Sequence, residues 1–98
     1  MPTDPLPDWV PVRRRAIGDT VRAARAAAGL TQEGLAGRAG IDRKTVNRLE
    51  QGTRSPLLDH LLVIADALGV PLADLVREER PPPRERQGPP DLPAPGPP

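Results

Sequence analysis

From Val12 to Arg80 the apolar positions recur three and four residues apart, the spacing that gathers them on one face of a helix. No stretch shows the period-two alternation of β-branched and aromatic residues that strands need. The pattern predicts five helices with short joints. The first runs from Arg13 to Ala28, with Ile17, Val21, Ala24 and Ala28 on one stripe and Arg14, Asp19 and Arg22 off it. Gly29 follows as a stop able to take the left-handed conformation, and Leu30 turns back to the core. The second begins after Thr31, a good N-cap, and ends near Ala39, with Leu35, Ala36 and Ala39 apolar. Gly34 and Gly37 lie inside it, and each costs roughly 1 kcal/mol relative to alanine, so this helix depends on packing.

The third helix begins after Asp42, another N-cap, and runs to Gln51, with Gly52 closing it. Only Val46 and Leu49 are apolar, with Ile41 just before. The fourth is the most apolar: Leu57, Leu58, Leu61, Leu62, Ile64, Ala65 and Leu68. Ser55 and Pro56 read as its N-cap and first turn, and Gly69 as its stop. A short fifth helix follows Pro71 and carries Leu72, Leu75 and Val76.

Proline sets the expected boundaries. Of 15 prolines, only Pro56 and Pro71 fall between Val12 and Arg80, while four lie in residues 1–11 and nine in residues 81–98. Proline lacks an N–H and blocks helix interiors, so both ends are expected to be irregular. The organisation is an N-terminal arm over 1–11, a folded unit over 12–80 and a proline-rich, flexible tail over 81–98. The tail is either an inert solubilising segment or a partner-recruiting one. Trp9, the only aromatic, either packs on the helices and pins the arm or enters a partner.

Composition narrows the classes. There is no cysteine, which removes disulfides and zinc ribbons and fits a cytoplasmic, reducing setting. No apolar run reaches the length of a membrane span, and MPTDPLPDWVP lacks the basic and apolar regions of a signal peptide. The single histidine, His60, has no metal-ligand cluster around it in sequence and reads as an ordinary polar helix position. No phosphate loop or paired carboxylates suggest catalysis, so no enzyme activity and no cofactor is expected. The net charge of +1 hides an asymmetry: residues 13–54 hold ten Lys/Arg against four Asp/Glu, and residues 55–80 hold two against five. A basic half beside an acidic half suits a polyanion on one face, although charge runs are also commonly just solvated helix faces. Arg13–Arg15 is open to the same two readings, a phosphate-binding arm or a solvated first turn.

The informative stretch is Thr31–Gln51. Counting from Gln32, the fifth position is Ala36, the ninth Gly40, the fifteenth Val46 and the eighteenth Leu49. Two helices crossing closely need a small residue at the crossing and a positive-φ residue in the turn. The second of them anchors through its apolar positions and leaves the opposite side free. That side carries Arg43, Lys44, Asn47 and Arg48, with Thr45 at its edge. An α-helix fits the major groove, where Arg and Lys read guanine and Asn reads adenine.

With IGDTVRAAR, GLTQ, LA, AGI, TVNRLEQG, SP and LLVIADALGVPLADLV in this order, residues 17–76 resemble the lambda-repressor-like family of helix-turn-helix regulators, also called the xenobiotic-response-element family. The resemblance implies an all-α, five-helix DNA-binding domain and a sequence-specific transcription regulator, a repressor in the expected reading. It implies base contacts from Arg43, Lys44, Thr45, Asn47 and Arg48. It implies phosphate contacts from Gln32, which also braces the recognition helix, and from Gln51 and Arg54. It implies a structural salt bridge between Arg25 and Glu50. Three positions depart from the family: Gly34 replaces the glutamate of a capping box, Leu57 replaces a serine or threonine, and Asp42 replaces the usual cap before the recognition helix.

One recognition helix reads too few base pairs to single out a genomic site. The expected partners are therefore double-stranded DNA and a second copy of the chain, on a pseudo-palindrome with half-sites roughly 34 Å apart. The dimer surface is expected on the fourth and fifth helices, through Leu72, Leu75 and Val76. The alternative function is an antitoxin or adaptor whose main partner is a protein, reached through the arm or tail.

Overall fold

The computed structural model describes residues 6–78. Five helices follow in order: α1 (Trp9–Ala27), α2 (Gln32–Ala39), α3 (Arg43–Gln51), α4 (Leu58–Leu68) and α5 (Leu72–Val76). The described residues contain no strand. The tail from residue 81 and the first five residues of the arm lie outside the described residues.

Every joint turns on a glycine. Gly29, Gly40, Gly52 and Gly69 all have φ near +70° (68–77°). In the turn between α2 and α3, the N–H groups of Gly40 and Ile41 both donate to the Ala36 carbonyl, at 2.9 and 3.1 Å. That closes α2 and redirects the chain within two residues. The side chains of Thr31 and Asp42 cap α2 and α3, accepting from the N–H of Gly34 and Thr45.

The core is aliphatic: Val21, Leu35, Ala36, Val46, Leu49, Leu61, Ile64, Ala65 and Leu75. Each helix contributes, so no helix pair encloses the core alone. Ala36 is 4% exposed, as a close crossing demands.

Two expectations are corrected here, and the open reading of Trp9 is narrowed. The arm does not extend to residue 11, because α1 starts at Trp9 and takes in Pro11. Pro11 is the third residue of the helix, where the backbone N–H has no intrahelical partner, so proline costs nothing there. Trp9 does not pack on the core; it is 58% exposed on the first turn. Helix α4 begins not at Ser55 or Pro56 but at Leu58, behind Leu57 in an extended conformation with no side-chain cap.

The placement of Leu75 is also corrected. It is 1% exposed and belongs to the protomer's own core, with Leu72 and Val76 half-buried against it. Five helices around so small a core need every apolar residue α5 offers. The large apolar side chains left exposed on α4 are Leu58, Leu62 and Val63, beside Leu57.

Candidate nucleic-acid interface

Helix α3 has two chemically opposite sides. Val46, Leu49 and Glu50 are buried, while Arg43, Lys44 and Arg48 are exposed. Thr45 and Asn47 are half-buried at the edges. Among the described residues, no hydrogen bond or ion pair within 4 Å engages the side chains of Arg43, Lys44, Arg48 or Arg54. Arg43, Lys44 and Arg48 stand on α3 and Arg54 follows it in the joint, and the Asp42 carboxylate acts electrostatically on Lys44 and Arg48.

The buried side explains why the exposed side keeps its position. The Glu50 carboxylate is fully buried. Arg25 grips it with two parallel bonds, Nε to Oε2 at 2.6 Å and Nη2 to Oε1 at 2.9 Å. This fork geometry fixes direction as well as distance. Arg25 is itself pinned, donating through Nη1 to the Leu30 carbonyl at 2.9 Å. Gln32 Nε2 donates to Glu50 Oε1 at 3.0 Å, and Arg22 Nε lies 3.6 Å from the same oxygen. The Arg25–Glu50 pair expected from the sequence is thus present.

Burial pushes the Glu50 carboxyl up. Hydrogen bonds from Arg25 and Gln32, with the charges of Arg25 and Arg22, outweigh it and hold the group below the usual carboxylate range. The same contact with Glu50 raises Arg25. Hydrogen bonding from Thr45 lowers Asp42, so the cap of α3 stays ionised.

The network reaches the edge of the exposed face. Asn47 Nδ2 donates to Gln32 Oε1 at 3.2 Å, completing a chain from Arg25 through Glu50 and Gln32 to Asn47. Gln32 therefore braces α3 as expected, and one half of the Asn47 amide is committed to protein.

Several contributors were not recognised from the sequence. A Cβ on Gly18 would overlap the Glu50 carbonyl oxygen and come within 2.6 Å of that of Leu49. A Cβ on Gly52 would lie 2.6 Å from the Arg15 Cα. Helix α1 and the end of α3 therefore touch backbone to backbone. Arg14 Nε donates to the Gly52 carbonyl at 3.1 Å, and Arg22 Nη2 to that of Glu50 at 3.4 Å, satisfying C-terminal carbonyls of α3. Arg13 donates to the Val76 carbonyl at 2.9 Å and pairs with Glu78 at 3.2 Å. Of the Arg13–Arg15 run, only Arg15 is exposed. The available signal was Gly18 itself, since a glycine inside a good helix marks a close approach.

Two short helices joined by a glycine turn, the second anchored on one side and cationic on the other, form a helix-turn-helix of the DNA-binding class. A model of the Helix-turn-helix family HTH_3 matches residues 21–75, more than half of the chain, and the chain belongs to that family. Its members are transcription regulators, not enzymes. It is 36% identical over 63 residues to a protein of Sinorhizobium fredii named as an uncharacterized HTH-type transcriptional regulator, y4dJ. That match covers 64% of this chain and 82% of the relative. The restriction-modification controller protein C.AhdI of Aeromonas hydrophila is similar in structure, with a TM-score of 0.64 at 36% identity. The match covers 65% of this chain and 97% of that one. The clp gene regulator ClgR of Corynebacterium glutamicum follows at a TM-score of 0.62 and 28% identity, over 78% of this chain and 90% of that one.

Proposed function

We propose that this protein is a cytoplasmic, sequence-specific repressor that binds a pseudo-palindromic operator as a homodimer. The observation that carries this reading is the face of α3, where Arg43, Lys44 and Arg48 are exposed while Glu50 behind them is locked. In this reading Arg43, Lys44, Thr45 and Arg48 contact base edges in the major groove. Asn47 joins them with the half of its amide that Gln32 leaves free. Gln51, Arg54 and the second Nε2 hydrogen of Gln32 bind phosphates. The neighbours support the setting, since C.AhdI is a controller protein and ClgR a gene regulator.

The dimer surface in this proposal lies on α4 and the rim of α5. Leu58, Leu62 and Val63 are exposed there at 61%, 45% and 36%, with Leu72 and Val76 half-buried alongside. Leu75 takes no part. The acidic Asp59 and Asp66 on α4 suit a surface turned away from DNA.

The test is selection of bound duplexes from a random pool, followed by titration at several salt concentrations. Each phosphate contact contributes about 0.9 to the log–log salt slope. Arg43→Ala and Arg48→Ala are expected to lose sequence preference, and Arg54→Ala to weaken all duplexes about equally. If all three variants match the parent, α3 is not the reading element. Sedimentation of Leu62→Asp against the parent tests the dimer, which is overturned if both run at the same mass.

A further inference from the structure

The chain's only aromatic residue stands outside its core. Trp9 is exposed on the first turn of α1, and Leu6 before it and Val12 after it are more exposed still. Three residues separate Trp9 from Val12, so the two share one face of α1. The described residues leave that face open. An indole in water is the least economical use of a large apolar side chain, and apolar side chains clustered on one face mark a contact surface.

The same part of α1 holds the end of the described chain. Arg13 Nη2 donates to the Val76 carbonyl at 2.9 Å, and Arg13 Nε pairs with Glu78 at 3.2 Å. Arg13 follows Trp9 by four residues and lies on the same side of the helix. Helical side chains lean towards the N-terminus, so Arg13 brings Glu78 to the turn that carries Trp9. Arg77 leaves α5 with φ −66° and ψ 138°, the polyproline II conformation. The sequence then supplies Pro81, Pro82 and Pro83. They begin three residues past Glu78, a reach of about 9 Å in polyproline II form. Trp9 is one helical turn from Arg13, roughly 5.4 Å, and so within that reach.

We propose that Pro81–Pro83 of the same chain dock on the Trp9–Val12 face, with their rings against the indole. Proline-rich segments recognise aromatic surfaces because their helix is preformed and loses little entropy on binding. A second copy fits the face less well. A stable interface buries about 800 Å² per partner, whereas a tryptophan supplies about 150–250 Å² and Leu6 and Val12 are smaller. A tethered segment needs far less, because its effective concentration is on the order of millimolar. Docking occupies the face that another protein would use, and it holds whether or not the chain binds DNA.

The chain has no tyrosine or phenylalanine, so fluorescence reports on Trp9 alone. The full chain is measured beside a variant carrying Pro81→Ser, Pro82→Ser and Pro83→Ser together, which alters no residue of the five helices. The variant is expected to emit further to the red than the parent and to be quenched more strongly by iodide. The difference is expected to be the same at every protein concentration, with or without duplex. A peptide of residues 79–90 is expected to return the variant to the parent's emission, saturating at roughly millimolar concentrations. If parent and variant emit and quench alike, the segment does not cover Trp9 and the proposal is overturned. Shielding that grows with protein concentration in both chains assigns the cover to a second copy. Shielding that appears only with duplex assigns it to DNA, and either result overturns the proposal as well.

Discussion

Helices α2 and α3 have 8 and 9 residues, and each has a side-chain N-cap and a left-handed glycine at its C-terminus. What holds them in place differs. Helix α2 buries Leu35 and Ala36, and its side-chain links beyond its own cap run through Gln32. Helix α3 buries Val46 and Leu49 too, but it adds a carboxylate held by Arg25, Gln32 and Arg22, carbonyls held by Arg14 and Arg22, and backbone contact at Gly18. Apolar burial is non-directional and tolerates sliding. Bidentate bonds and backbone contact do not. The helix whose angle decides what reaches the groove is the one located by directional contacts, and its neighbour, beyond the brace from Gln32, serves as packing.

The sharpest way to break this contrast is to remove Glu50. Truncating one partner of a buried pair leaves an uncompensated charge and costs about 3–5 kcal/mol. Glu50→Ala is expected to lose that much in urea unfolding followed by circular dichroism, a large share of the roughly 5–15 kcal/mol that folded domains hold. Acid carries the same signature. The Glu50 pKa is lower in the folded protein than in the unfolded chain. Its contribution is therefore full above the ordinary carboxylate pKa of about 4.3 and is lost as pH falls through the lower folded value. Glu50→Gln is expected to flatten the stability curve over that acid window. An unchanged curve would mean that the carboxylate does not anchor α3.

Gly18→Ala comes next. The new methyl group meets backbone carbonyls, which cannot move aside as a flexible side chain does. Overpacking of this kind costs about 1–3 kcal/mol. Because the strain lies between α1 and α3, DNA affinity is expected to fall along with stability. A variant that melts like the parent would show that the two helices have room to separate.

The contrast itself was only partly legible in the sequence. The ends of α2 and α3 were readable because Thr31, Asp42, Gly40 and Gly52 act within a few residues. The pair Arg25–Glu50 came only from the family resemblance, since nothing local in the chain links positions 25 residues apart. Arg14 and Arg22 drew no partner from the sequence because they sit off the apolar stripe of α1. Their targets are carbonyls of α3, and no sequence pattern marks a carbonyl as accessible. The start of α4 was misplaced because Ser55-Pro56 is a strong local signal, whereas the extended Leu57 is set by how α4 packs. Leu75 was assigned to a dimer surface because apolar count alone does not tell core from interface.

Helix α4 offers a smaller test, because it lacks the side-chain cap that α2 and α3 share. Leu57 is 61% exposed, so replacing it removes little buried surface. Leu57→Ser supplies a hydroxyl at the N-cap, and a gain of about 1 kcal/mol is expected. Thermal unfolding decides it, and a lower melting temperature would show that Leu57 is held by contacts rather than tolerated.

The smallest expected effect is Gly37→Ala, and it addresses the claim that α2, apart from Gln32 at its start, serves as packing. Gly37 is exposed in the interior of α2, and an added Cβ would meet nothing within 4 Å. Helix propensity and the reduced freedom of the unfolded chain then both favour alanine, by about 0.5–1 kcal/mol together. In a domain of this size that raises the melting temperature by roughly 2–8 °C. Duplex affinity is expected to stay at the parent's value, because Gly37 lies on neither the α3 network nor the cationic face. A stability gain with reduced affinity would mean that the outer side of α2 approaches DNA or a partner closely. Helix α2 would then be a contact surface well beyond Gln32, and the division of labour between the two helices would fail.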